Sequence, residues 1–362
     1  TGTVGRMRIA VTRTSTPKAK LPDAEIGFGK TFTDHMLLID YAAGQGWHDA
    51  RVVPYAPLPM DPACAALHYG QTMFEGMKAF RGKDDVVRVF AVKQHLTRMS
   101  RSAPRLAMPS LDVDLMAEGL LELVRVDQAW VPRAPGTSMY IRPTLIASEA
   151  YLGVRPSQKY LFFVIMTPVG PYYAAPGSDP LVPVAIRVET HYTRAAPGGV
   201  GAVKAGGNYA ASLLAAEEAK RDGYAQVLWT DVSHQRIEEI GTMNVFLRFG
   251  DELVTPPLSD SILAGITRAS ILTLARTLGL RVVERAVTVD EIVAGQASGN
   301  LREVFGTGTA SVVVPVGELE VRGQRLRIGT GGVGEVTRLL YEGLGGIRDG
   351  SQPDTEGWLT AV

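Results

Sequence analysis

The stretch on which the reading turns is Pro197-Gly-Gly-Val-Gly-Ala-Val-Lys204-Ala-Gly-Gly-Asn-Tyr209. Five of the ten residues from Gly198 to Gly207 are glycine, and Lys204 is the one charge among them. A triphosphate-binding P-loop needs Gly-Lys-Ser/Thr; here Val203 precedes the lysine and Ala205 follows it, so that chemistry is disfavoured. Two readings stay open. One is a surface loop with a solvated lysine. The other is a Schiff-base lysine, whose amine must lie beside a flat cofactor ring in a partly desolvated pocket where large neighbours would collide.

Working outward, a pyridoxal-phosphate site would also need an acid for the ring nitrogen and a cup for the phosphate. Glu238 and Glu239 precede Gly241-Thr242-Met243-Asn244 and supply candidate acids. Gly265-Ile266-Thr267-Arg268 opens a helical pattern, and backbone N–H groups with a threonine hydroxyl at a helix N-terminus suit a phosphate dianion. Thr307 and Thr309 of the Gly306-Thr307-Gly308-Thr309 turn could add hydroxyls, and Arg98 or Arg101 a cation. Each element alone resembles an ordinary cap, turn or surface acid; their joint presence is what counts.

Rival motifs fare worse. Gly329-x-Gly331-x-x-Gly334 matches a dinucleotide fingerprint in form, but no parallel strand with an acidic end follows, so these are read as turn glycines. The six histidines show no metal-ligand spacing, and there is no Gly-x-Ser-x-Gly nucleophile elbow, so no metal is expected. Thirty-seven basic against 37 acidic side chains leaves no net charge, which argues against nucleic acid as a partner. The oily stretch from Tyr160 to Ser178 is broken by prolines and glycines and reads as a strand and loop, not a membrane span. The single cysteine, Cys64, points to a reducing compartment, and the expected location is cytoplasmic. The basic segment before Asp23 reads as a disordered or tag-derived lead-in.

The length suggests roughly two domains. Strand and helix patterns mix without strict alternation, which predicts an α+β fold in both halves. Strands are expected at Ser138 to Ala147 and Tyr160 to Met166, and a hairpin at Met243 to Phe249 and Glu252 to Thr255. Helices are expected at Asp112 to Trp130, Asn208 to Asp222, Thr267 to Leu278 and Glu335 to Leu344. The Pro-rich stretch near residue 170 sets the boundaries: domain 1–170, an interdomain loop 171–183, and a domain 184–362.

The blocks Leu67-His68-Tyr69-Gly70, Phe74-Glu75-Gly76-Met77-Lys78-Ala79, Tyr140-Ile141-Arg142-Pro143, Lys204-Ala-Gly-Gly-Asn-Tyr209, Glu239-Ile-Gly-Thr-Met-Asn244, Thr255-Pro-Pro-Leu258, Gly265-Ile-Thr-Arg268 and Gly306-Thr-Gly-Thr-Ala310 occur in order. In these the chain closely resembles the branched-chain amino acid aminotransferases, pyridoxal-phosphate enzymes of fold type IV. The resemblance runs from about Gly27 to Val316 and is loose beyond. It implies a small N-terminal and a larger C-terminal domain with the cofactor between them, a homodimer, and reversible transamination between leucine, isoleucine or valine and 2-oxoglutarate. It also implies that Lys204 holds the cofactor and moves the proton during catalysis, that Glu239 rather than Glu238 meets the pyridine nitrogen, and that Tyr209 bonds the ring hydroxyl. Thr242 would lie against the ring, and Arg98, Ile266, Thr267 and Thr309 would bind the phosphate. Phe74, Tyr140 and Arg142 would line the substrate pocket, with Tyr69 from the other subunit and Ala310 backbone near the substrate carboxylate. Some animal members carry a Cys-x-x-Cys pair where this chain has Ser311 and Val314, so a thiol switch there is absent. Within the same fold, a D-amino acid aminotransferase or an aminodeoxychorismate lyase is the alternative. From another class, a non-catalytic pyridoxal-phosphate carrier and a nucleotide-binding module are opposed by the intact lysine and glutamate and by the failed phosphate-loop contexts.

Overall fold

The computed structural model describes residues 8–22, 25–170 and 178–362; the start of the basic lead-in and residues 171–177 of the expected interdomain loop lie outside them. The chain divides into two compact units, one of residues up to 172 together with 348–362, the other of residues 173–347. The expected second domain ran to residue 362. Residues 348–362 belong instead to the first unit, because Leu359–Ala361 pairs antiparallel with Val87–Phe90, and the two units come out close to equal in length.

The first unit holds a nine-stranded sheet. Its centre is the antiparallel pair Ser138–Ala147 and Lys159–Val169, in register from Ser138 opposite Val169 to Ala147 opposite Tyr160. Alternating side chains of the second strand, Tyr160, Phe162, Val164 and Met166, are buried, as a half-covered strand requires. Helix Val113–Val126 covers that core with Met116, Leu120, Leu123 and Val124, which recur at helical spacing. Asp112 caps it by accepting the Leu115 N–H at 3.0 Å. His35, at the start of strand His35–Ala42, bonds Asp127 through Nδ1 at 2.7 Å and accepts the Thr14 N–H on Nε2 at 2.9 Å, fastening the preceding segment to the sheet.

The second unit also holds a nine-stranded sheet. Six of its strands close into a ring, in the order Ile237–Ile240, Gln226–Thr230, Val184–Val188, Val312–Val321, Leu301–Gly308 and Met243–Phe249, the last pairing again with the first. Ile186, Leu228, Ile240, Val245, Leu247 and Leu319 are buried in its core. Helix Gly206–Arg221 lays Ala215 and Ala219 on Val227 and Trp229.

The glycines that mimicked a dinucleotide fingerprint have a structural explanation. Glu303 accepts the N–H groups of Val336 at 3.1 Å and Thr337 at 2.9 Å, so a carboxylate already occupies the N-terminus of helix Glu335–Arg348. A Cβ on Gly334 would lie 2.0 Å from that carboxylate. The third glycine therefore makes room for a protein side chain where a pyrophosphate would have to sit.

Candidate active site

In the second unit, Asn208 fixes the lysine loop by donating through Nδ2 to the carbonyls of Val200 and Val203, both at 2.8 Å. The loop then enters helix Gly206–Arg221, and Lys204 Nζ donates to Tyr209 Oη at 2.7 Å. Tyr209 lines a pocket with Arg194, Ser212, Glu239, Thr242 and Leu263.

Glu238 and Glu239 are neighbours on strand Ile237–Ile240, and both are buried. Their surroundings separate them. Glu239 reaches the pocket, where Oε1 accepts the Leu263 N–H at 2.9 Å and Asn244 Nδ2 at 3.3 Å, while Oε2 lies 3.3 Å from Arg194 Nε. Glu238 accepts the Ser261 hydroxyl on Oε1, and its buried Oε2 has no hydrogen-bond partner among the described residues. Burial pushes the Glu239 carboxyl up to about 7, against the opposing pull of Arg194, the Leu263 N–H and Lys204. Glu238 is raised as well, chiefly by burial.

Asn244 connects this acid to the expected phosphate turn. Its Nδ2 also donates to the Leu263 carbonyl at 2.9 Å, and a Cβ on Gly265 would lie 2.0 Å from its Oδ1. Gly265 opens helix Ile266–Thr277, whose first turn has no side-chain cap, with Thr267 buried. Thr309 and Ala310 stand in the turn between strands Leu301–Gly308 and Val312–Val321, and a Cβ on Gly308 would lie 3.2 Å from Met243 Cγ. The buried Thr307 Oγ1, near the end of the first of these strands, has no hydrogen-bond partner among the described residues.

In the first unit, the guanidinium of Arg142 lies over the rings of Phe74, at 4.7 Å, and Tyr140, at 5.2 Å, and donates through Nη2 to Tyr140 Oη at 3.0 Å. A Cβ on Gly76 would meet Tyr140 Oη at 2.0 Å, so the glycine of the Phe-Glu-Gly block clears space for that ring. Glu75 of the same block is fully buried and grips Arg98 through Nε and Nη2, both at 2.7 Å, and His95 Nδ1 at 2.9 Å. Burial would raise this carboxyl, but the Arg98 charge and the bonds from His95 and Arg98 outweigh it and hold it far below the usual range. Tyr69 stands apart from these residues: it is 46% exposed on helix Ala65–Tyr69, and its hydroxyl donates to the Leu152 carbonyl. Leu67, Leu152 and Val154 are exposed as well.

The second-unit residues expected to share a site therefore do so in part: Tyr209, Glu239 and Thr242 line one pocket, Lys204 joins it through Tyr209, and the Gly265 and Gly308 turns abut Asn244 and Met243. Arg194 and Ser261 are not among the residues expected from sequence. No spacing rule marks Arg194 in His191-Tyr192-Thr193-Arg194, and only the folded loop brings it to Glu239. Among the described residues no cluster of ligating side chains could hold a metal.

This lysine–phenol pair with a buried acid is accompanied by a family match: the model for amino-transferase class IV covers residues 72–319. The chain belongs to the class IV aminotransferases. Branched-chain-amino-acid aminotransferase 2 of Bacillus subtilis (strain 168) is 46% identical over 358 residues, 99% of this chain and 98% of that protein. The branched-chain amino acid aminotransferase structure from Escherichia coli is 30% identical at a TM-score of 0.70, covering 90% of this chain and 98% of that one. The branched-chain aminotransferase from the archaeon Thermoproteus uzoniensis, solved with norvaline, shares the fold at a TM-score of 0.75 and 24% identity, over 90% of this chain and 99% of that one. Within the class, the chain falls in the branched-chain-amino-acid aminotransferase family.

Proposed function

We propose that the protein uses pyridoxal 5'-phosphate to transfer the amino group reversibly between L-leucine, L-isoleucine or L-valine and 2-oxoglutarate, giving the branched-chain 2-oxo acid and L-glutamate. The observation that carries this is the Lys204–Tyr209 contact at 2.7 Å beside a pocket that holds the buried Glu239. The residues present fit the cofactor: an amine, a phenol, a carboxylate, uncapped amides of the helix from Ile266, and an orphaned hydroxyl at Thr307. When bound, pyridoxal phosphate supplies a ring that accepts electrons from the substrate Cα.

The chain's own groups have distinct tasks. Lys204 would hold the cofactor, and its amine would carry the proton to and from the substrate Cα as general base and acid. Tyr209 orients the Lys204 amine and donates toward the ring hydroxyl. Glu239 would keep the proton on the ring nitrogen, and Thr242, which lines the same pocket, would lie against the ring. Ile266, Thr267 and Thr309 would hold the phosphate, Arg98 is the cation proposed for it, and Ala310 backbone would receive the substrate carboxylate. Phe74 and Tyr140 give aliphatic side chains an apolar wall. Arg142, held between those rings, meets the second carboxylate of glutamate or 2-oxoglutarate, so that one pocket takes both substrates. The exposed group Leu67, Tyr69, Leu152 and Val154 supports a homodimer in which Tyr69 serves the partner subunit. No described helix is long and apolar enough to cross a membrane, and a cytoplasmic site of action is part of this proposal.

An absorption spectrum taken during addition of leucine tests the reading. The reconstituted protein should show a long-wavelength cofactor band that shifts with leucine and returns with 2-oxoglutarate. A protein that takes up no such chromophore is not this enzyme, and a band that answers D-alanine but not leucine would favour the D-amino acid aminotransferase alternative.

A further inference from the structure

We propose that Arg194 is the positioning residue for Glu239: its guanidinium, anchored on backbone carbonyls, keeps the Glu239 carboxyl turned into the pocket and favours its ionised form when the cofactor is bound. This rests on the reading that Glu239 serves the cofactor ring. Arg194 Nη2 donates to the carbonyl of Ser261 and, at 3.4 Å, to that of Gly201, so the lysine loop and the segment before helix Ile266–Thr277 both fix the group. Its side chain is 8% exposed, and Nε then stands 3.3 Å from Glu239 Oε2. An arginine cannot give up its proton, so this is a permanent cation inside the unit.

The need for it follows from the neighbouring charges. Glu239 faces Arg194 from the loop after strand Val184–Val188, Lys204 from the glycine loop, Glu238 on its own strand, Asn244 from strand Met243–Phe249 and the Leu263 N–H. Two buried carboxyls thus stand next to each other, and Arg194 draws on both. Two buried anions beside one fixed cation are costly, and the cheaper arrangement keeps one proton on the pair. Glu238 has its Oε1 satisfied by Ser261 and an Oε2 with no partner among the described residues, which suits the protonated member. Glu239, with Arg194, Leu263 and Asn244 around it, suits the ionised one once a cationic ring nitrogen joins Arg194 in facing it; in the cofactor-free protein burial keeps its proton up to about pH 7. Loss of the Arg194 charge would move the proton onto Glu239, and a neutral acid no longer holds the ring nitrogen protonated.

The test is a cycle on cofactor affinity, measured by reconstitution with pyridoxal phosphate and read from cofactor absorbance. Arg194→Met and Arg194→Gln both remove the charge, and Gln retains an amide donor for the anchoring carbonyls. Each should raise the cofactor Kd by about tenfold or more in the native background and by less than about twofold when Glu239→Gln is already present. Arg194→Lys should restore most of the affinity and leave the pH profile of the cofactor band close to that of the unaltered protein. Equal weakening with and without Glu239→Gln would mean a merely structural role and would overturn the proposal, as would charge-removing variants that bind like the unaltered protein. If the unaltered protein itself takes up no pyridoxal phosphate, the reading of the site fails first and the role of Arg194 with it.

Discussion

Replacing Glu239 with glutamine should strip a pH dependence from the stability of the cofactor-free protein. Burial lifts this carboxyl from its ordinary 4.5 to about 7 in the folded chain. The folded state thus holds the proton more tightly than the unfolded state, so the contribution is full below pH 4.5 and is lost as pH rises through about 7. At about 1.4 kcal/mol per pH unit the span is worth roughly 3 kcal/mol. Between pH 5 and pH 8 the apoprotein should therefore lose most of that amount, whereas Glu239→Gln, which has no proton to release, should show a shallower decline arising from Glu238. Urea unfolding at constant ionic strength, followed by tryptophan emission, measures it. Trp229 is the one tryptophan within residues 173–347, and its indole N–H donates to the Gly241 carbonyl at 3.0 Å, so with Trp47, Trp130 and Trp358 replaced by phenylalanine in both proteins the signal reports on the strand pair that carries the acid. Parallel pH profiles for the two proteins would refute the reasoning.

Three further substitutions probe the scaffold. Gly334→Ala should push Glu303 off the start of helix Glu335–Arg348 and cost about 2–4 kcal/mol, a lost cap plus a disturbed pairing with Arg248 at 2.8 Å; chemical denaturation checks it, and a change under about 0.5 kcal/mol would contradict it. Glu75→Gln leaves the largely buried Arg98 without its carboxylate and should cost about 3 kcal/mol or more, visible as a lower Tm. Burial and the nearby charge of Arg348 bring Lys78 down to about 7, so its ammonium opposes folding most below that pH and stability recovers as pH rises toward 10.5. Lys78→Met should accordingly raise Tm more at pH 6 than at pH 9, and an equal shift at both would argue against a charged lysine there.

Local patterns carried much of the fold. The hairpin Met243–Phe249 and Glu252–Thr255 and strand Ser138–Ala147 lie at their expected bounds, because alternation and a Gly250-Asp251 turn are properties of adjacent residues. Pairings between distant segments left no such mark. Strands His35–Ala42 and Gly46–Pro54 carry charged and aromatic residues that blur alternation, and the partnership of Leu359–Ala361 with Val87–Phe90 has no local signal at all. Helix Val289–Ala297 is absent from the expected elements, although Thr288 caps it by accepting the Glu291 N–H at 3.0 Å. The site divides in the same way. Lys204, Tyr209 and Glu239 stand in ordered blocks with chemistry written in their neighbours, whereas Arg194 and Ser261 acquire meaning only when the glycine loop and the segment before Ile266 fold against each other.

The pairing of Leu359–Ala361 with Val87–Phe90 also bears on how the protein is made. A ribosome releases the strand at 87–90 early and its neighbour at 359–361 only after every residue of the second unit has emerged. The second unit is one continuous stretch and can finish during synthesis, while the first must wait with an open sheet edge, the kind of surface that recruits other chains. The nascent protein is thus most exposed to aggregation through its earliest-made half, and shortening the chain before residue 359 would make that passing hazard permanent.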